Sequence, residues 1–150
     1  MLRLVAAFLA ALGATYLIAS VTATQFVLQE VAALGPAVPW SVRLDTTGRD
    51  LVGLAGSYLP LLALAFLLAL PVAAGLTRLV PAARPAWYLA AGFVAVLALH
   101  LIMKAVLGVT GIAATRSLAG LLAQGVAGAV GGGLFQALTP GRPPPARHDA

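Results

Sequence analysis

The 150-residue chain contains no cysteine, so disulfide bonds, thiolate catalysis and Cys-ligated metal sites are excluded. Charged residues make up only 9% of the chain, against about 25% in an average soluble domain. The nine basic residues are thinly spread, which argues against a nucleic-acid partner. Because 61% of the residues are hydrophobic, the chain has more apolar surface than a water-soluble core of this length can bury.

The sequence also lacks the signatures of common active sites. His148 lies in the C-terminal tail, so His100 alone cannot supply a pair of haem ligands. The few acidic residues form no set with convincing metal-ligand spacing, and neither a nucleophile elbow nor a phosphate-binding loop is present. We therefore expect no metal, no cofactor and no enzymatic activity.

What the chain does contain is four long apolar runs, at residues 4–24, 51–71, 87–107 and 117–138. Each is close to the ~20 residues with which a helix crosses a hydrocarbon layer about 30 Å thick. We predict an all-α fold, an integral membrane four-helix bundle that occupies residues 1–139 as one domain.

The first run predicts one continuous helix of about thirty residues, because nothing breaks a helix before Gly35 and Pro36. The start of the chain also resembles a signal peptide, with small residues near Ala23 that suit cleavage. The run is longer than a usual signal core, which favours a retained first span. Residues 35–48 are predicted to form a loop that rests on the membrane surface, with Trp40 at the headgroup level.

Proline residues predict irregular structure in two further segments. Pro60, near the middle of the second run, removes a backbone hydrogen bond and predicts a kinked second helix. Residues 140–150 contain four prolines and little that is apolar, so they are predicted to be a disordered tail.

An even number of spans places both termini on one side of the membrane. That side holds five basic residues: Arg3, Arg78, Arg84, Arg142 and Arg147. The other side holds four: Arg43, Arg49, Lys104 and Arg116. Because cytoplasmic loops carry the excess of basic residues, we expect both termini in the cytoplasm. The composition is typical of a GC-rich bacterial genome, so the inner membrane of a bacterium is the expected location.

Most of the polar side chains that topology does not explain lie toward the non-cytoplasmic side. The candidate polar site comprises Glu30, Arg49, Asp50, His100, Lys104 and Arg116. His100 and Lys104 are four residues apart and share a helix face, and ionisable groups inside a membrane usually find partners. A network of Asp50, Glu30, His100 and Lys104 would be either a latch that joins helix ends or a site for a ligand, an ion or a proton.

The fourth run is rich in glycine, and Gly125, Gly128 and Gly132 are candidates for close helix packing. A matching strip of small residues in the first run is Ala6, Ala10 and Ala14. This packing would lie either within the bundle or at a subunit interface. The lone amides Gln124 and Gln136 are expected to hydrogen-bond across such an interface or to line a polar path.

These features favour a small polytopic protein that acts as a structural or accessory subunit through helix packing, with membrane lipids and a second copy or a larger complex as partners. The alternative is a small carrier or channel centred on Asp50, His100 and Lys104. A third interpretation is an enzyme acting on lipid headgroups, in which Arg43, Arg49, Lys104 and Arg116 clamp a phosphate, although no nucleophile or metal centre accompanies them.

Overall fold

The computed structural model describes residues 1–35, 37–108 and 110–139. Within these residues the chain forms five α-helices and no strand, which confirms the predicted all-α fold. The helices are α1 (Leu2–Leu34), α2 (Trp40–Ala55), α3 (Tyr58–Leu79), α4 (Arg84–Leu107) and α5 (Leu118–Leu138). Short 3-10 turns at Pro81–Ala83 and Ala113–Arg116 precede α4 and α5. The tail predicted to be disordered, residues 140–150, lies outside the described residues.

Four of these helices, α1, α3, α4 and α5, are long and apolar enough to cross a membrane. The guanidinium of Arg3 donates to the Leu138 carbonyl oxygen over 3.3 Å, and that of Arg84 donates to the Thr139 carbonyl oxygen over 2.8 Å. The beginnings of α1 and α4 therefore lie beside the end of α5, and we refer to this end of the bundle as the Arg3 end. At the opposite end, Thr24 of α1 contacts Asp50 of α2, and we refer to it as the Asp50 end.

Helix α1 is continuous over 33 residues, as its sequence predicts. At 1.5 Å per residue it is about 50 Å long, some 20 Å more than the hydrocarbon layer. Its last turns therefore extend beyond the layer or the helix tilts. The helix ends at Leu34, and the next two residues are Gly35 and Pro36, the pair that the sequence predicts to end this helix.

The second apolar run differs from its predicted form. Residues 40–55, most of which were predicted as a loop, are the helix α2, and a two-residue break at Gly56 and Ser57 separates α2 from α3. Pro60 lies in the first turn of α3, where its missing N–H costs no helical hydrogen bond. The irregularity in this run is therefore at Gly56 and Ser57, and Pro60 belongs to the start of a new helix.

The closest approach between helices joins α4 to α5. A Cβ added to Gly128 would collide with the carbonyl oxygen of Gly92, and one added to Gly132 would collide with that of Tyr88. Beside them, the Phe93 ring lies 2.7 Å from the position of a Cβ on Gly125. Backbones approach this closely only where side chains are absent. These three glycines of α5 thus make their close contacts inside the bundle.

Helix α1 packs on another side of α5 with a row of small residues that is offset by one from the predicted strip. Ala6 and Ala10 are exposed, whereas Ala7 and Ala11 are buried. A Cβ on Gly131 would lie 2.9 Å from the Ala11 carbonyl oxygen, so this glycine serves the contact with α1. The glycines of α5 therefore admit two helices, α4 on one side and α1 on the other.

We expect Gly132→Ala to lower the free energy of unfolding by about 1–3 kcal/mol, because the new methyl group forces α4 and α5 apart. Reversible unfolding in mixed micelles, followed by circular dichroism, measures this change. Gly13→Ala is the matched control, since a Cβ at Gly13 meets no neighbouring atom within 4 Å. Alanine there is expected to leave stability unchanged or to raise it through its better helix propensity. Equal losses in both variants would contradict this account of the packing.

Candidate functional site

A chain of buried hydrogen bonds crosses the bundle and includes all four spans. The Tyr58 hydroxyl of α3 lies 3.1 Å from Nε2 of His100 in α4 and 3.0 Å from Oε1 of Gln124 in α5. Nε2 of Gln124 lies 2.9 Å from the carbonyl oxygen of Ala19 in α1. The three side chains are at most 4% exposed. Polar groups at this depth have no water to bind, so they must find partners within the protein.

The direction of every hydrogen bond in this chain follows from one fixed acceptor. The Ala19 carbonyl oxygen only accepts, so the Gln124 group beside it is the amide nitrogen and the amide oxygen faces Tyr58. The Tyr58 hydroxyl therefore donates to Gln124, and its oxygen accepts from the imidazole. His100 consequently carries a proton on Nε2.

Aromatic packing joins three of these four helices, α1, α3 and α4. The Tyr58 ring lies between those of Tyr16 and His100, with centroid separations of 6.3 Å and 5.6 Å. The Tyr16 hydroxyl donates to the carbonyl oxygen of Leu51 near the end of α2. Because α3 begins at Tyr58, the break at Gly56 and Ser57 lets this ring enter the bundle between α1 and α4.

A second set of polar contacts fastens α2 to α1 at the Asp50 end. The Thr24 hydroxyl lies 2.7 Å from a carboxylate oxygen of Asp50. Arg43 donates to the side-chain oxygen of Gln25 over 2.9 Å, and the Gln25 amide donates to the Thr47 hydroxyl over 3.1 Å. Because Thr47 lies inside α2, it does not cap a helix. These contacts turn the polar side of α2 onto α1.

Asp50 also borders a small cavity of about 180 Å³ between α1, α2 and the segment before α5. Thr24, Thr46 and Gly111 line it together with apolar residues. Within the described residues, no set of three His, Asp or Glu side chains is close enough to hold a metal ion.

The structure does not bring the predicted network together. His100 faces Tyr58 in the interior, and Asp50 contacts Thr24, whereas Glu30 and Lys104 are both exposed. The helix α2, which sequence reasoning did not foresee, carries Asp50 to α1 instead of to α4. Lys104 lies one turn nearer to the end of α4 than His100, where its side chain is no longer covered.

The two remaining candidates are engaged elsewhere. Arg49 is paired with Asp45 in the same helix over 2.9 Å, with both side chains exposed. Arg116 lies 3.2 Å from the Thr110 hydroxyl. Neither group touches the buried chain.

The sequence left two roles open for Gln124, a hydrogen bond across helices or the lining of a polar path, and the structure shows the first. Tyr58 and Thr24 were not among the candidates. A hydroxyl inside an apolar run was the available signal for both residues. Their partners depend on how the helices are rotated, which the sequence pattern does not reveal.

Comparison with known proteins finds no counterpart: no protein-family model matches the chain, and neither a curated protein nor a solved structure matches it. The role of the buried chain therefore has to be argued from its geometry. Its donors and acceptors are directed at one another, so the arrangement can hold four helices in register.

We expect Gln124→Leu to destabilise the protein by about 1–2 kcal/mol, because it leaves the Tyr58 hydroxyl proton without an acceptor and removes the link from α5 to the Ala19 carbonyl oxygen of α1. The free energy of unfolding in mixed micelles measures the effect. Gln136→Leu is the matched control on the same helix, because no hydrogen bond of the Gln136 side chain is found within the described ranges. A loss as large in the control would show that Gln124 has no special role.

We expect the neutral His100 ring to be protonated on Nε2. Nitrogen-15 chemical shifts of the protein with His148→Gln report this tautomer, since His100 is then its only histidine. Adding Tyr58→Phe removes the acceptor and should change the tautomer population. A ring protonated on Nδ1 in the first protein would contradict the assigned direction of the chain.

Proposed function

We propose that this protein acts through helix packing, as a structural or accessory subunit of a membrane assembly and without chemistry of its own. The proposal extends to its setting, which is the inner membrane of a bacterium with both termini in the cytoplasm. Its partners would be membrane lipids and either a second copy or a larger membrane complex. No nucleic acid is among the partners we propose.

The observation that carries the proposal is the contrast between interior and exterior. Inside, the amide, imidazole and phenol of Gln124, His100 and Tyr58 are directed at one another and at α1. Such a network stabilises one arrangement of helices and leaves these groups occupied. Outside, the spans present broad apolar surface, on which lipids or further helices can pack.

One part of that exterior suits a helix better than lipid tails. An apolar groove of about 850 Å³ runs between α3 and α4. Small residues line both walls, with Ala65 and Ala69 one turn apart on α3, and Ala91 and Ala98 two turns apart on α4. Lipid chains adapt to any apolar surface, whereas helices need small residues to approach closely. The occupant that we propose for this groove is therefore a transmembrane helix of a partner subunit.

The carrier or channel has less support. Its three central groups lie in separate environments: Asp50 against Thr24, His100 against Tyr58, and Lys104 exposed. A single transported ligand would need them to converge.

The lipid-headgroup enzyme also has less support. Its four proposed phosphate ligands do not converge: Arg49 binds Asp45, Arg116 binds Thr110 and Lys104 is exposed on α4, away from Arg43 on α2. A phosphate clamp needs several basic groups directed at one point.

Charge supports the proposed orientation. The Arg3 end carries Arg3, Arg78 and Arg84, and no acidic residue lies there within the described parts of the chain. The Asp50 end carries Glu30, Asp45 and Asp50 beside its basic residues. The orientation rule counts basic residues, and by sequence Arg142 and Arg147 bring the count of this side to five against four.

We expect the protein, extracted from its native membrane in mild detergent, to have a protein mass larger than one chain, as measured by light scattering. The double variant Ala69→Leu and Ala98→Leu fills the groove between α3 and α4. It should reduce the mass to that of a single chain while helicity remains unchanged.

Val126→Leu is the matched control, because Val126 is an exposed residue of α5 and does not line the groove. Its mass should equal that of the wild type. A wild-type protein that is recovered only as a single chain would overturn the proposal.

A further inference from the structure

Helix α2 differs from the four spans because it is amphipathic, and its polar side faces the protein. Arg43, Thr47 and Asp50 lie on the side that hydrogen-bonds to Gln25 and Thr24 of α1. On a helix at the surface of a soluble protein, the apolar side would face the core. Near the end of α2, Leu51, Leu54 and Ala55 pack against the core, but other large apolar residues of this helix face outward. Their exposure indicates that the outward side of α2 meets an apolar medium.

The outward side of α2 carries large apolar residues in a row. Trp40, Leu44 and Val52 are 79%, 71% and 80% exposed. Together with Gly48 they follow one another at four-residue spacing, so they lie along one side of the helix. We call these four residues the α2 apolar row.

The ion pair of Asp45 and Arg49 lies next to this row, because each of the two residues directly follows a member of the row, Leu44 or Gly48. Their side chains are 63% and 79% exposed. The two charges cancel, and both suit contact with water. Helix α2 therefore has three sides: a polar side on α1, an apolar row and a charged strip. This is the pattern of a helix that lies along a membrane surface, with lipid on one side and water on the other.

The depth of α2 agrees with that pattern. Thr24, which contacts Asp50, lies about 30 Å along α1 from Arg3, which is one hydrocarbon thickness. The contacts that fasten α2 are therefore at the boundary between hydrocarbon and headgroups. The apolar row extends along α2 on both sides of Thr47, so its middle lies near the same boundary.

Arg43 supplies a recognition element for the headgroup. Its guanidinium lies 5.9 Å from the centre of the Trp40 ring and donates to Gln25. Among residues 1–35, 37–108 and 110–139, the one ion pair is that of Arg49 and Asp45, so no carboxylate there neutralises Arg43. A guanidinium presents five N–H donors, and phosphate is the acceptor that they match at this level of a bilayer.

We propose that α2 binds phospholipids of the leaflet at the Asp50 end, with the acyl chains against the α2 apolar row and a phosphate on Arg43, which is half-buried and lies beside Trp40 at the edge of the side that faces α1. The net charge of the row and the neighbouring ion pair is zero, so the recognised group is the phosphate that all glycerophospholipids share. This inference is independent of the proposed subunit function.

The test uses the fact that the chain has two tryptophans, Trp40 and Trp87. With Trp87→Phe, Trp40 is the only tryptophan, and the protein is placed in vesicles of brominated phosphatidylcholine. Bromine close to the ester carbonyls should quench Trp40 more strongly than bromine near the chain ends. Acrylamide in the water should quench it weakly.

Two results would overturn the inference. Strong quenching by acrylamide without quenching by bromine would place α2 in water. Absence of quenching by both would place protein, such as a second copy, on the apolar row. If Trp87→Phe fails to fold, the wild type labelled with fluorotryptophan gives the same depths by fluorine NMR, with Trp40→Phe to assign the signals.

The role of Arg43 is tested with a matched pair on the same helix. Arg43→Gln should make Trp40 more accessible to acrylamide several-fold, whereas Arg49→Gln should leave it unchanged. In vesicles of an uncharged galactolipid without phosphate, the Trp87→Phe protein should behave like its Arg43→Gln variant. Equal accessibility in both arginine variants, or no difference between the two lipids, would overturn the assignment of phosphate to Arg43.

Discussion

The absence of water inside a bilayer is the constraint on which the structure of this protein depends. A buried polar group that lacks a partner within the bundle is costly, since the hydrocarbon offers none. Gln124 is a partner for groups on two other helices, because its oxygen accepts from Tyr58 of α3 and its nitrogen donates to Ala19 of α1. One amide thereby relates the rotation of α5 to that of α1 and α3, and Tyr58 extends the relation to His100 on α4.

The glycines of α5 make this arrangement geometrically attainable. Side chains at Gly128 and Gly131 would hold α4 and α1 away, and the Gln124 amide would then fall short of the Ala19 carbonyl oxygen. Close packing and hydrogen bonding are thus two parts of one design, since hydrogen bonds act only at short range. The polar residues fix how the helices are rotated, and the small residues let the helices come close enough for these hydrogen bonds to form.

The sequence predicts four apolar spans, because twenty apolar residues in a row have few alternatives to a membrane helix. The second of them begins at Tyr58 and not at Leu51. The predicted run at 117–138 nearly coincides with α5. Helix α2 was missed because prolines and charges at 36–50 are typical of a loop, and its polar side finds partners only on α1. The buried chain was missed in part because Tyr58 is a single residue whose role depends on the rotation of neighbouring helices.

The position of Gln124 in the last span has a consequence for biosynthesis. While the ribosome still holds α5, the spans α1, α3 and α4 are already in the membrane, and Tyr58 and His100 have only each other as partners. The Tyr58 hydroxyl then accepts from His100, but the acceptor for its own proton, the side-chain oxygen of Gln124, is on a helix not yet made. Insertion of α5 therefore completes the hydrogen bonding, and a truncated product that lacks α5 is left with an unmet polar group that quality-control proteases can recognise.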